Sequence, residues 1–356
     1  MPVANAAFDA YREAYLRRDA TTVLRDGDDL AVTLAEAPWS RFLVPAVIVL
    51  QGSTMGMRPD LVPPGEAIRY LSQGISLADH LIDEPDGDAA ASGLDKALGP
   101  IDPFRMELMQ LLLVVGRYDE AHALASTLQE PTHGAVARLA GLRTHAAVSA
   151  VRGEHELAHQ VLNAAASLSE RMRSRFARML VDVDRSVLLG TQGRLGEGIA
   201  LFDNLTRVLS RRSAGSSGAW ADTVAAAGAL TLSRFAAETG DPVTAERLIY
   251  PGAAAVSDTT DPYWKAQLDL SLSVLFWAQR RFDDAVELCR EARAGFEGGA
   301  YLPGAAQAVM HEGRLAWSQG FTAVATPLLE LARHQLVALG HHREPSQIAQ
   351  ALDHVA

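Results

Sequence analysis

The chain has 356 residues, a formal net charge of −11, and 48% hydrophobic but only 6% aromatic residues. An acidic surface repels phosphate backbones, which excludes general nucleic-acid binding, and a core that is rich in Ala and Leu rather than aromatics suits packed helices. The single cysteine, Cys289, excludes an internal disulfide, and the longest apolar run, Phe42 to Leu50, contains Pro45 and falls far short of the roughly 20 residues that span a bilayer.

The N-terminus turns amphipathic at once, without the apolar stretch of a leader, so a soluble cytoplasmic protein is expected, with no membrane association. Lys96 and Lys265 are the only lysines, so Arg supplies the other basic residues. Together with the Ala excess, this composition points to a GC-rich, actinobacterial genome.

Taken in chain order, apolar residues recur at i, i+3, i+4 and i+7, and no period-2 strand is evident. A first helical pair is expected over Ala7 to Arg17 and Ala20 to Ala35, and a second over Trp39 to Gly52 and Gly65 to Ile82. An irregular segment, Glu84 to Pro103, follows. From there a turn recurs at near-constant spacing, with first residues Gly116, Gly153, Gly193, Gly240, Arg280 and Gly320. The one longer gap, from Gly193 to Gly240, is explained by Arg211 to Gly218, a Ser/Gly-rich flexible segment. Around each turn lie a helix A and a helix B. Asp261-Pro262 starts one helix A, with Asp at the cap and Pro at the first position, and Gly340 closes the last helix B.

A period in this range marks stacked repeats, each a unit that cannot bury its apolar face alone. The reading is an all-α, right-handed α-α superhelix of about eight helical pairs over 1–356. Residues 1–100 form less regular pairs, 101–340 the clear repeats, and 341–356 a C-terminal tail in which His341 and His342 are solvated.

The turn Gly-x-Tyr/Phe-x-x-Ala, seen in Gly116, Tyr118, Ala121 and Ala125 and again in Phe282, Ala285 and Cys289, resembles that of tetratricopeptide repeats. The period is longer than that family's usual one, which makes it similar to the helical-repeat sensor regions of large bacterial transcription regulators. Their nucleotide-binding and DNA-binding modules have no counterpart here, since no Gly-x-x-x-x-Gly-Lys-Ser/Thr and no basic recognition helix occur. In tetratricopeptide arrays helix A lines the concave face. The resemblance therefore implies an exposed, polar stripe at helical spacing along each helix A. Read back from successive turns, it holds Arg314, His311 and Gln307; Val274, Ser271 and Gln267; Arg234 and Thr231; and Asp184. Trp277 and Trp317 occupy one slot in successive repeats. With Arg234, Gln267, Gln307, His311 and Arg314 they are the candidate binding residues for a partner protein, a peptide or a small-molecule effector. Homodimerisation is compatible with this reading, and no cofactor is expected.

One motif points to another chemistry. His155-Glu156-Leu157-Ala158-His159 fits His-Glu-x-x-His, which on a helix places two imidazoles on one face for zinc, with Glu156 as general base. Repeat register accounts for the same residues, since His155, Ala158 and His159 occupy the slots of Tyr118, Ala121 and His122, and no third ligand is evident. A zinc hydrolase on His155, Glu156 and His159 is the alternative function. His122, His133 and His145 lie shortly before the motif's pair, so histidines crowd the stretch from His122 to His159. Cys289 has no activating base, and Asp182 and Asp184 lie on different helical faces.

Overall fold

The computed structural model describes residues 2–36, 43–84, 87–209, 218–256 and 261–353. They form eighteen helices and, among the described residues, no strand. Contacts divide the chain into two compact units, unit 1 being residues 1–115 with 132–137, and unit 2 residues 116–131 with 138–356.

The helices of unit 1 are α1 (Pro2–Leu16), α2 (Ala20–Ala35), α3 (Leu43–Met57), α4 (Pro64–Ile82), α5 (Gly87–Leu98) and α6 (Asp102–Val115). Asp19 caps α2 by accepting from the Thr22 amide at 3.1 Å. Helix α3 carries the longest apolar run, is buried on all faces from Pro45 to Met55, and packs against α1, α2, α4, α5 and α6. A helix that is apolar all round is a core helix, which here makes α3 the centre of the unit. The Glu84 to Pro103 segment, expected to be irregular, contains α5. Ala90, Leu94 and Ala97 recur at helical spacing there and are buried, a short amphipathic pattern that the surrounding Gly, Pro and Asp residues mask in the sequence.

Unit 2 runs through α7 (Tyr118–Leu128), α8 (Ala135–Val151), α9 (His155–Arg171), α10 (Arg175–Thr191), α11 (Leu195–Leu209), α12 (Gly218–Glu238), α13 (Pro242–Val256), α14 (Pro262–Ala278), α15 (Phe282–Gly298), α16 (Leu302–Ser318), α17 (Thr322–Ala338) and α18 (Arg343–Asp353). Ser174 and Asp261 cap α10 and α14 through the amides of Ala177 and Tyr263. The Arg211 to Gly218 segment lies, but for its last residue, outside the described residues.

Each recurring turn is an αL corner. Gly116, Gly153, Gly193, Gly240 and Gly320 have φ between 78° and 84°, and Arg280 takes the same conformation at 63°. The small residue that follows on helix B is enclosed in every clear repeat: Ala121, Ala158, Ala245, Ala285 and Ala325 are all 0% exposed. At that depth helix B rests against its neighbours with no room for a larger side chain, which is why Ala recurs there.

The expected C-terminal tail is instead α18. His341, read as solvated, is only 8% exposed. Its amide donates to the Leu336 carbonyl at 2.9 Å in a Schellman-type closure of α17, which turns the chain back onto the unit. Ile348 of α18 then joins the core that Ala306, Val309, Leu329 and Leu336 form. A short amphipathic helix with one buried face has no reason to extend into solvent.

Candidate binding interior of unit 2

The residues after α17 meet the beginning of the same unit. The His342 amide donates to the Val151 carbonyl at 3.0 Å, and Tyr118 Oη and His341 Nε2 are hydrogen-bonded at 3.2 Å. At Gly116 a Cβ would come within 2.7 Å of Leu339 Cδ2 and 3.0 Å of Pro303, so that corner has room only for glycine. Unit 2 thus closes on itself, and its inner helices face a common interior.

That interior is polar. From α16, Arg314 donates to Glu238 Oε1 of α12 at 3.0 Å and to Gln347 Oε1 of α18 at 3.2 Å. Arg343 of α18 lies over the Phe235 ring of α12, 4.7 Å from its centroid. His341 and Glu344 meet at 3.3 Å, so Nδ1–H donates to the carboxylate and Nε2 is left to accept from Tyr118. Burial pushes the Glu344 carboxyl up, but the hydrogen bond from His341, aided by the charge of Arg343, outweighs it and leaves Glu344 below its ordinary value. Burial raises the Tyr118 phenol, which therefore stays protonated as the donor.

Arg234 and His311 sit deeper. Arg234 keeps some open surface while protein surrounds its guanidinium. Its Nη1 has no hydrogen-bond partner and, among the described residues, it makes no ion pair; Glu238 and Glu344 attract it from beyond contact. Burial lowers its pKa. His311 is 2% exposed. Burial foremost, then the charge of Arg314, holds it neutral, with a pKa pushed down to about 3. A hydrogen bond to the Ser273 backbone engages one ring nitrogen, and Nε2 is enclosed without a partner. Tyr263, half-buried, bonds Gln267 and packs edge-on against Tyr301 and Trp264.

Of the candidate residues read from the sequence, Arg234 and, on α16, His311 and Arg314 lie on the stretches of α12 and α16 joined by the Arg314–Glu238 bond, while Gln267 is half-buried on α14. Gln307 lies on α16 as well and is half-buried. Trp277 and Trp317 are half-buried packing residues. Trp277 lies edge-on to His311, with ring centroids 5.8 Å apart, and its Nε1 donates to Ser318 Oγ at 3.2 Å. Trp317 packs on the core around Val309 and Leu329. The stripe was expected to be exposed, yet Val274, Ser271 and His311 are all 2% exposed or less, and Asp184 is held by Arg143 through bonds of 2.6 and 3.0 Å. The physical reason is closure: when the inner helices curl together, the middle of the stripe falls into helix–helix contacts. Sequence reasoning missed Tyr118, Glu238, Tyr263, Glu344 and Gln347. Only the charged character of 341–347 next to the buried positions Ile348 and Leu336 could have signalled Glu344 and Gln347.

The zinc motif is spread over other contacts. His155 opens α9, and burial foremost, then the neighbouring His159, His342 and Arg343, lower its pKa. His159 is hydrogen-bonded to the Gln192 side chain, with contacts of 2.9 and 3.1 Å. His122 and His145 stack edge to face at 4.5 Å, and His133 pairs with Asp102 in unit 1 at 2.9 Å. No group of three His, Cys, Asp or Glu suited to a metal occurs among the described residues, where catalytic zinc takes three protein ligands. Cys289 is fully enclosed, its thiol pushed up to about 12 by burial, and unfit as a nucleophile. No helix among the described residues is long and apolar enough to cross a membrane.

With this arrangement in view, the fold is defined as a tetratricopeptide-like helical repeat. Over 95% of this chain and 96% of the other, it is similar to the Rap conjugation gene regulator of plasmid pLS20 in complex with the Phr* peptide (TM-score 0.65, 9% identity). A Rap protein complexed with Competence and Sporulation Factor aligns over 94% and 98% (TM-score 0.55, 10% identity), and a tetratricopeptide repeat protein from Parabacteroides merdae over 82% and 92% (TM-score 0.50, 14% identity). No family model matches the chain, and no curated protein matches it in sequence.

Proposed function

We propose that this chain is a non-catalytic, regulatory binding protein that holds a short peptide or a small effector inside unit 2. The observation that carries this reading is closure: His341 and His342, just before α18, meet α7 and α8 of the same unit, so the array returns on itself and its inner helices meet through polar contacts. A scaffold for folded partners needs the open face, whereas a sensor of small ligands needs the enclosed one. The Phr* peptide held by the pLS20 regulator, whose fold this chain shares, adds support for a peptide.

The test is native mass spectrometry of the full chain with a peptide pool and a metabolite library. One-to-one adducts that weaken on Gln267→Leu and Arg314→Met, both at the interior, are the expected result. Capture of folded proteins only, indifferent to those substitutions, would overturn the reading.

A further inference from the structure

Unit 1 holds a cavity of about 350 Å³ lined from α1, α2 and α3, at the small end of the range that ligand sites occupy. Ala20, Val23 and Thr54 in its lining are buried, whereas Arg18 is exposed and Met57 is 44% exposed. The cavity is therefore open to solvent, and a ligand can enter it. Tyr15 lines it from α1 with its Oη bonded to Ser53 Oγ at 3.1 Å, which holds the ring as a preset wall.

The charged groups of the lining are spent on the protein itself, with one exception. Asp19 accepts from the Thr22 amide at 3.1 Å and from Thr22 Oγ1 at 2.7 Å as the cap of α2. Arg58 is held by Asp60 through two bonds of 2.8 Å. Arg18 makes no ion pair and no side-chain hydrogen bond among the described residues. It is left as one unmatched, accessible cation beside a partly apolar cavity. A carboxylate matches the guanidinium fork with both oxygens, whereas a phosphate dianion would exceed the single charge and be repelled by the Asp19 carboxylate. The volume corresponds to about a dozen waters, which limits the ligand to on the order of ten non-hydrogen atoms.

We infer that unit 1 binds a small monocarboxylate with an aryl or alkyl body, its carboxylate paired with Arg18 and its body against Tyr15 and Met57. This site is additional to the one proposed for unit 2 and does not depend on it.

The test uses the full chain, with benzoate, octanoate and inorganic phosphate as probes and benzamide and octanamide as neutral counterparts. Binding is read by calorimetry and by saturation-transfer NMR. One carboxylate is expected to bind at least about tenfold more tightly than its amide, the usual effect of a charge-assisted pair, and the one that responds tells an aromatic from an aliphatic body. Arg18→Gly should abolish the preference. Arg18 stands at φ 58°, which suits glycine, so this variant should melt no lower than wild type. Arg18→Gln is a second variant with the same expected loss, and Arg314→Met, in unit 2, should leave the binding unchanged. Equal binding of acid and amide, phosphate binding as tight as that of the carboxylates, a preference that survives Arg18→Gly, or no binding of any probe overturns the inference. A preference lost on Arg314→Met and kept on Arg18→Gly also overturns it, by placing the carboxylate in unit 2, and supports the role proposed for that unit.

Discussion

Glu107 of α6 offers a prediction whose size follows from the structure. Its carboxylate accepts from Ser53 Oγ at 2.7 Å, Ser53 Oγ is bonded to Tyr15 Oη at 3.1 Å, and no cation pairs with it among the described residues. Burial pushes its pKa from 4.5 to about 7, more than the Ser53 bond can lower it. An acid raised in the folded state gives a stability that is full below pH 4.5, falls as pH rises, and levels off above about 7. The shift corresponds to about 3 kcal/mol, and residual solvent access brings the expectation nearer about 2 kcal/mol. Glu107→Gln retains the bond to Ser53 and removes the charge. Urea titrations at pH 5 and pH 8, following unit 1, should show the variant within about 0.5 kcal/mol of wild type at pH 5 and more stable by about 2 kcal/mol at pH 8. A variant less stable at pH 8 than wild type would refute the argument, since it would mean that the charge is matched in the folded protein.

Four other outcomes are expected. Arg280→Gly relieves an exposed non-glycine residue at φ 63° and should stabilise unit 2 by about 0.5–1 kcal/mol in denaturant titrations, partly offset by chain entropy. Gly116→Ala meets both the positive φ and the Leu339–Pro303 contact and should cost about 1–3 kcal/mol, read as a lower midpoint of melting. Glu344, held below its ordinary value, contributes stability above pH 4.5 that is lost as pH falls; hydrogen exchange of the Val151–His342 closure should therefore accelerate in acid, and Glu344→Gln should flatten that dependence. Protein purified without a histidine tag should carry substoichiometric zinc, unchanged by His159→Ala; one equivalent of zinc lost on that substitution would revive the hydrolase.

How much of this was legible in the sequence depends on range. The αL corners and the enclosed alanines were readable because both follow from local rules: a residue that must take positive φ and one that must be small. Arg280 was placed by frame alone, and the structure gives it the glycine conformation. Helix α5 was missed because Gly, Pro and Asp surround a brief apolar pattern. The interior was half-readable. That Arg234, His311 and Arg314 sit on inner helices follows from the repeat register, but the contacts of Tyr118 and Glu344 depend on a long-range approach that no local pattern encodes. The same contact explains why positions expected to be open are enclosed, and why the two Trp pack rather than stand free.

The Tyr118–His341 bond joins residues 223 positions apart. In an open array each repeat touches only its neighbours, so the ends fray and the chain can melt piecemeal. A unit whose residues 341–342 rest on α7 and α8 has no free end to fray. Its loop-closure entropy is lost in one late step, which slows folding relative to a linear array of the same length and ties all its repeats to a single cooperative transition. Removing residues 341–353 should therefore do more than shorten the chain by one helix, since the closing contacts of His341 and His342 go with it: a unit with one melting event becomes an open array with several.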